Sequence, residues 1–216
     1  MSIALVFAGG DPSPPSVLDG LLAADLVIAA DSGLGHALEL GVRVDLVVGD
    51  LDSATPGDLD RAAAAGAEVE RHPVAKDATD LELAIAAART RGADEVTVIG
   101  GHGGRLDHLL ANALVLTSPA FAVMTVRARI GSADLVVVRD EVTLHGRVGD
   151  LCSLLPIGGA ARAVRTSGLR FPLTNEDLQP GSTRGVSNEL LEPAAHVSLT
   201  GGVLLIVLPQ ARKVAP

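Results

Sequence analysis

The chain has 216 residues, of which 48% are hydrophobic and 20% charged, and its formal net charge is −9 at pH 7. This composition is typical of a globular protein with one large or two small domains, and the acidic balance excludes the basic face that nucleic-acid binding needs. The single cysteine, Cys152, excludes an internal disulfide and predicts a reducing, cytoplasmic location. Aromatic stacking on any ligand could come only from Phe7, Phe121 or Phe171, since Trp and Tyr are absent.

Two features of the sequence predict a soluble protein rather than a membrane protein. The start, MSIALVFAGG, has no basic region that would mark a signal peptide. The longest uncharged run, residues 109–126, just reaches the length of a membrane span. Because polar residues and a proline interrupt this run, a helix, a turn and a buried strand explain it better.

The first 120 residues alternate between strand-like and helix-like segments. This alternation predicts an α/β domain built on a parallel sheet with helices on both faces. The predicted strands are 3–10, 25–32, 45–53, 67–73 and 95–101, and the predicted helices are 33–41, 56–66, 77–92 and 105–116.

After Pro119 the pattern changes to short strand-like segments without a convincing helix between them. This pattern predicts a small antiparallel β-sandwich or barrel. The strands are expected within 122–130, 133–140, 141–148, 151–157, 161–169, 194–200 and 202–209. We therefore expect an α/β domain over 1–125 and a β-sandwich domain over 140–216. Residues 172–189 are predicted to be a long polar loop with a functional role.

Acidic residues follow five successive predicted strands of the first domain. Ligands bind at the carboxyl ends of the strands in such sheets, so these acids should meet at one edge. A single aspartate there is ordinarily a helix cap, but several like charges together need a counter-ion. Oxygen ligands without a Cys or His cluster favour Mg²⁺. The acids concerned are Asp11, Asp31, Asp50, Asp52, Asp77, Asp80 and Asp107.

The stretch GGHGGRLDH, residues 100–108, could bind the phosphates that a magnesium ion usually accompanies. Its glycines allow backbone N–H groups to approach an anion, and Arg105 adds a charged fork. A glycine-rich turn is a weak signal by itself. The P-loop and the dinucleotide-binding fingerprint are both absent from the sequence.

Five motifs in register resemble the thiamine pyrophosphokinase family. They are AADSG (29–33), GDLDS (49–53), KDATDLELA (76–84), GGRLDHLLAN (103–112), and the pair GLRFPL (168–173) and GVSNE (185–189). The resemblance covers nearly the whole chain. It implies transfer of a pyrophosphoryl group from ATP to thiamine, giving thiamine diphosphate and AMP, with Mg²⁺ as the metal.

The resemblance also assigns roles to individual residues. By resemblance, the magnesium ligands are Asp31, Asp50, Asp52 and Asp80, the catalytic residues are Asp50, Asp52, Asp77 and Asp80, and the ATP-binding residues are Lys76, Gly103, Gly104, Arg105, Asp107 and Asn112. Three of these have ordinary alternatives: a solvated lysine at position 76, a helix cap at Asp77 and a surface amide at Asn112.

The second domain is expected to bind thiamine. By resemblance, Ser187 and Asn188 hydrogen-bond its aminopyrimidine, although a simple turn after Gly185 would also explain them. The resemblance further implies a homodimer whose sites lie between the chains. Two other functions stay open: a pyrophosphokinase for another small alcohol, such as a pterin, and a non-catalytic sensor that binds a nucleotide or thiamine diphosphate.

Overall fold

The computed structural model describes residues 1–21 and 23–210, which divide into two compact units. The first unit is Met1–Gly131, and the second begins at Ser132. The predicted domain limits of 125 and 140 stay predictions, and residues 211–216 of the predicted second domain lie outside the described residues.

The first unit is built on six parallel strands. They are β1 (Ile3–Ala8), β2 (Leu26–Ala30), β3 (Leu46–Gly49), β4 (Glu68–Arg71), β5 (Glu95–Gly100) and β6 (Thr125–Ile130), in the order β6-β5-β1-β2-β3-β4. The predicted α/β fold is confirmed. One assignment was wrong: β6 was expected among the antiparallel strands, but it pairs parallel to β5, with Thr125 opposite Glu95.

Four helices connect these strands: α1 (Gly33–Glu39), α2 (Pro56–Ala64), α3 (Asp80–Thr90) and α4 (Leu106–Val115). Threonine caps begin two of them, because the Thr55 and Thr79 hydroxyls accept hydrogen bonds from the N–H groups of Asp58 and Glu82, both at 3.2 Å. Short 3₁₀ turns occupy Pro15–Leu18 and Pro119–Phe121. Within residues 1–21 and 23–210, no helix is long and apolar enough to cross a membrane.

One core cluster of the first unit packs aliphatic side chains around Phe7. Phe7, Ala29 and Val47 of neighbouring strands are fully buried together with Leu34 and Ala37 of α1. Because β1, β2 and β3 are buried on both faces, they read as continuous apolar runs that end where the chain reaches the sheet edge.

The second unit is an antiparallel β-sandwich, as predicted. Its strands are β7 (Ala133–Val138), β8 (Glu141–His145), β9 (Leu151–Pro156), β10 (Ala161–Ser167), β11 (Thr174–Leu178), β12 (Asn188–Glu189), β13 (Ala194–Ser198) and β14 (Leu204–Leu208). They form two layers, β12-β9-β14-β7 and β11-β10-β13-β8. One buried cluster takes side chains from both layers, including Val136, Leu154, Val164 and Val197.

The predicted loop over 172–189 contains two strands, so this prediction was wrong in part. Thr174–Leu178 pairs with β10, and Asn188–Glu189 pairs with β9. The intervening residues 179–187 form turns and irregular backbone.

Candidate active site

A cleft of about 470 Å³ lies at the carboxyl ends of the parallel strands of the first unit. Its walls come from the turns after β1, β2, β3 and β5 and from the start of α3. The lining includes Gly9, Gly10, Asp31, Ser32, Ser53, Lys76, Thr79, Asp80, His102, Gly103, Arg105, His108 and Asn112. Of the predicted acids, Asp31 and Asp80 line this cleft, and Asp50 and Asp52 lie beside Asp31.

Asp31 ends β2 in a strained backbone conformation, with φ of 46°. Its N–H donates to the carbonyl oxygen of Val48 on the neighbouring strand at 2.9 Å, which fixes the turn. Burial raises the pKa of its carboxyl. Its Oδ1 is buried and has no hydrogen-bond partner within the described structure. A buried carboxylate oxygen without a hydrogen-bond partner is suited to bind a cation.

Asp31, Asp50 and Asp52 form a cluster whose carboxylate oxygens lie within 4.8 Å of one another. The chain brings them together at Gly49, whose φ of 148° is open to glycine alone. A Cβ at position 49 would lie 3.0 Å from Oδ1 of Asp80 and 3.3 Å from Cβ of Asp31. Glycine therefore lets α3 and the end of β2 approach the turn after β3.

The positive charge of Lys76 offsets the negative charge of two carboxylates, those of Asp50 and Asp80. Its Nζ donates to Oδ2 of Asp50 at 2.6 Å and forms an ion pair with Oδ1 of Asp80 at 3.1 Å. The hydrogen bond with Asp50 raises the pKa of Lys76, and the same bond lowers the pKa of Asp50. The Lys76 side chain is only 13% exposed. It is a structural part of the cleft rather than a solvated surface lysine.

The glycine-rich turn after β5 is held by contacts to both sides. The N–H of Asp11 donates to the carbonyl oxygen of His102 at 2.7 Å. Asn112 Nδ2, from α4, donates to the carbonyl oxygen of Gly101 at 3.0 Å. Asn112 is therefore an anchor for the turn and a wall of the cleft, not a surface amide.

Arg105 and Asp107 form an exposed pair at the start of α4. Nε and an Nη of Arg105 donate to the two carboxylate oxygens of Asp107, at 3.2 and 2.6 Å. The bond from Arg105 lowers the pKa of Asp107 to about 2. The guanidinium lines the cleft and stays accessible to solvent. Arg105 can therefore bind a second anion while it keeps its ion pair with Asp107.

The predicted residues differ in how closely they approach the cleft. Asp77 is exposed and does not line it in the described structure. The other predicted residues that do not line it are Asp11, Asp50, Asp52, Gly104 and Asp107. Asp80 borders the cleft but lies outside the three-carboxylate cluster, next to Lys76.

Five polar side chains of the cleft wall were not predicted from the sequence: Ser32, Ser53, Thr79, His102 and His108. Each of these residues lies inside or beside one of the sequence motifs given above. That location was the signal by which the sequence could have identified them. The Nδ1 of His102 is buried and has no hydrogen-bond partner among the described residues.

Of the two predicted thiamine residues, Asn188 lines a cleft of about 430 Å³ in the second unit, and Ser187 does not. Phe171 and Asn188 line it together with Ser182, Thr183, Arg184, Gly185 and Val186. Ser187 is exposed, with φ of 55°, and its N–H donates to the Ser153 hydroxyl at 3.1 Å. Asn188 is buried, and its amide binds backbone groups of Phe171 and Glu189.

Comparison with known proteins matches both units. Residues 19–128 match a family model described as the thiamin pyrophosphokinase catalytic domain, and residues 139–204 match the model of the thiamin pyrophosphokinase vitamin B1 binding domain.

Relatives and solved structures agree with these matches. The thiamine pyrophosphokinase of Bacillus subtilis is 26% identical over 84% of this chain and 86% of that protein. Thiamine pyrophosphokinase 2 of Arabidopsis thaliana is 29% identical over 75% of this chain and 64% of that protein. The crystal structure of the Bacillus subtilis enzyme superposes with a TM-score of 0.83 and 28% identity, covering 96% of this chain and 98% of that one.

Proposed function

The chain belongs to the thiamin pyrophosphokinase family, and on this premise we propose that it transfers the pyrophosphoryl group of ATP to the hydroxyl of thiamine, giving thiamine diphosphate and AMP. Membership confirms the resemblance seen in the motifs. The observation that carries the proposal is the cluster of Asp31, Asp50 and Asp52 next to Lys76, which adjoins a cleft lined by Asp31 and Lys76 in the unit that matches the catalytic domain.

The donor set of the cleft fits a magnesium ion. Three carboxylates within 4.8 Å of one another offer hard oxygen ligands, and the buried Oδ1 of Asp31 has no partner in the described structure. We infer that Asp31, Asp50 and Asp52 hold the ion, with Asp80 at its edge. When bound, Mg²⁺ would offset the charge that develops on the phosphate oxygens and on the departing AMP.

ATP is proposed to bind with its phosphates between Lys76 and the glycine-rich turn. Arg105 presents an accessible guanidinium, and Gly103 and Gly104 directly precede Arg105, the N-cap of α4, whose N-terminus favours an anion. Asn112 supports this arrangement by fixing the carbonyl of Gly101. Positioning of this kind accounts for most of the catalysis of phosphoryl transfer.

The reaction forms a bond between the thiamine hydroxyl oxygen and the β-phosphorus, and it breaks the bond from that phosphorus to the oxygen of AMP. Asp50, Asp52 and Asp80 are proposed to be catalytic by fixing the charges around this centre. Asp77 and Asp107 are exposed, and we propose that they contact the nucleotide or orient the attacking hydroxyl.

Thiamine is proposed to bind at the cleft of the second unit, where Ser187 is exposed beside Asn188. A homodimer is proposed to join this surface to the catalytic cleft of the partner chain, in the cytoplasm. The two alternative functions are not favoured: residues 139–204 match a vitamin B1 binding domain, and the carboxylates that a sensor could lose are all present.

The experiment that tests the function is an incubation of the purified chain with ATP, Mg²⁺ and thiamine, with nucleotides and thiamine esters separated by chromatography. Equal amounts of AMP and thiamine diphosphate are expected, and omission of thiamine should prevent AMP formation. A pterin alcohol that replaces thiamine with equal efficiency would contradict the assignment of the substrate.

A further inference from the structure

The residue between the two acids that follow β3 has an unusual backbone conformation. Leu51 has φ of 64°, in the left-handed region that favours glycine and that asparagine and aspartate tolerate best. Among the non-glycine residues described with a positive φ, Leu51 is the one with a large apolar side chain. Because a leucine keeps this conformation only where the surrounding structure stabilises it, the turn needs a compensating interaction.

Burial of the Leu51 side chain supplies that interaction. Leu51 is 7% exposed and belongs to the core cluster around Phe7, with Leu34 of α1. Hydrogen bonds of the sheet do not extend to this position. Among the described residues, the last backbone–backbone bond between β3 and the chain of β4 runs from the N–H of His72 to the carbonyl oxygen of Gly49, at 2.9 Å. Beyond Gly49, the side chain of Leu51 attaches the turn to the core.

The acids on either side of Leu51 lie outside this core. Asp50 accepts a hydrogen bond from Nζ of Lys76 at 2.6 Å, and Asp52 is exposed. Their carboxylate oxygens lie within 4.8 Å of each other and of an oxygen of Asp31. Since the two acids are joined through the backbone of Leu51, the conformation of that backbone determines how closely their carboxylates approach.

We propose that Leu51 is a positioning residue for the metal cluster: its buried side chain holds the turn in the left-handed conformation that brings the carboxylates of Asp50 and Asp52 together. The leucine itself offers no ligand atom. This inference rests on the proposed function, in which these carboxylates hold a magnesium ion with Asp31. Ligands that the fold already holds in place do not have to be ordered when the ion binds, so the anchor strengthens metal binding.

Metal binding without turnover tests the inference. Mn²⁺ prefers the same oxygen ligands as Mg²⁺ and is observed by electron paramagnetic resonance. It is titrated into the full chain without ATP or thiamine, well below the Tm. Loss of a residue that orients metal ligands weakens binding by roughly tenfold or more, so Leu51→Ala should raise the Mn²⁺ Kd by at least about tenfold. An unchanged Kd would overturn the inference.

Two further substitutions separate the buried side chain from the backbone conformation. Leu51→Met keeps an apolar side chain of similar volume and should bind Mn²⁺ within about twofold of the wild-type chain. Leu51→Asn suits the positive φ better than leucine but cannot replace its apolar contacts, so it should lose affinity as Leu51→Ala does. Wild-type affinity in Leu51→Asn would mean that the backbone conformation alone brings the acids together, which would overturn the role of the side chain.

Leu5→Ala is the matched control, since Leu5 of β1 is also 7% exposed and belongs to the same core cluster. It should lower the Tm as Leu51→Ala does and leave the Mn²⁺ Kd unchanged. Equal weakening of Mn²⁺ binding in both variants would overturn the inference, because a loosened core would then account for the loss. Absence of Mn²⁺ binding by the wild-type chain would instead refute the metal site of the proposed function, and the inference with it.

Discussion

At the scale of single residues, the charge at the end of β3 is balanced from within the chain. Nζ of Lys76 lies 2.6 Å from Oδ2 of Asp50 and 3.1 Å from Oδ1 of Asp80, so these two acids have a cationic partner. Asp52 has none of this support: it is exposed, and its carboxylate accepts a hydrogen bond from the Ser53 hydroxyl at 2.9 Å. The three acids therefore respond differently to substitution.

Asp52→Asn should abolish turnover and leave the fold intact. The substitution removes a proposed metal ligand, for which we expect a loss of kcat of at least about a hundredfold, while an exposed site changes the free energy of unfolding by less than about 0.5 kcal/mol. Activity at saturating Mg²⁺ and thermal unfolding are the measurements. Asp60→Asn, an exposed acid of α2 outside the cleft, is the control. Near wild-type activity of Asp52→Asn would contradict the metal assignment.

The pair of Arg105 and Asp107 predicts a titration. The carboxyl of Asp107 should titrate with a pKa of about 2, and in an Arg105→Gln variant its pKa should rise toward the ordinary value of about 3.9. Carbon NMR of the side-chain carboxyl measures both values, and Arg43→Gln, which removes a different ion pair, should leave Asp107 unchanged. An unshifted Asp107 in the wild-type protein would show that the pair does not form in solution.

The lowered pKa of Asp107 also determines the direction in which the stability of the folded state changes with pH. Because the pKa of Asp107 is lowered in the folded state, its contribution is present above the ordinary pKa and is lost as the pH falls through about 2. Both side chains are more than half exposed, so solvent screening keeps this contribution small.

At the scale of elements, the turn after β3 determines how closely the acids approach. Gly49→Ala would place a Cβ 3.0 Å from Oδ1 of Asp80, which should displace the Asp80 carboxylate. We expect a loss of kcat of at least about tenfold, together with a backbone cost of about 1–2 kcal/mol. Activity well below the Tm and the Tm itself are the measurements.

Gly66→Ala is the matched control for this prediction. Gly66 also has a positive φ, of 93°, but a Cβ there meets no atom within 4 Å in the described structure. The control should lose stability and keep its activity. Equal losses of activity in both variants would mean that backbone strain alone, and not the displacement of Asp80, explains the effect.

The elements also show where sequence patterns are informative. The alternation of apolar runs and capped helices predicted five parallel strands and four helices, because each signal is local. β6 was misassigned since its register with β5 is a long-range property. β11, with the sequence TNEDL, buries only Leu178, so it has no apolar alternation that could reveal a strand.

At the scale of the whole molecule, the sequence could predict that the acidic side chains lie close together, but it could not predict which side chains pair with one another. Parallel strands end at one edge, so Asp31, Asp50 and Asp52 had to converge. The ion pair of Lys76 with Asp50 joins residues 26 positions apart, and the bonds of Asn188 to Phe171 span 17. Such contacts depend on the packed chain and leave no pattern in the sequence.

The proposed homodimer predicts complementation between variants. Asp52→Asn chains and Ser187→Ala/Asn188→Ala chains, each weakly active alone, are mixed under conditions of subunit exchange. If each site takes residues from two chains, random pairing leaves about half of the dimers mixed, each with one intact site. Activity should recover to roughly a quarter of wild type. No recovery despite proven exchange would mean that each chain builds its own site.

The central claim is that two phosphates move together from ATP to thiamine. The most direct test uses ATP with radioactive phosphorus at the β position, incubated with the wild-type chain, Mg²⁺ and thiamine. The account predicts that the label appears in thiamine diphosphate while unlabelled AMP accumulates in equal amount. Label retained in ADP, with thiamine monophosphate as the product, would contradict it.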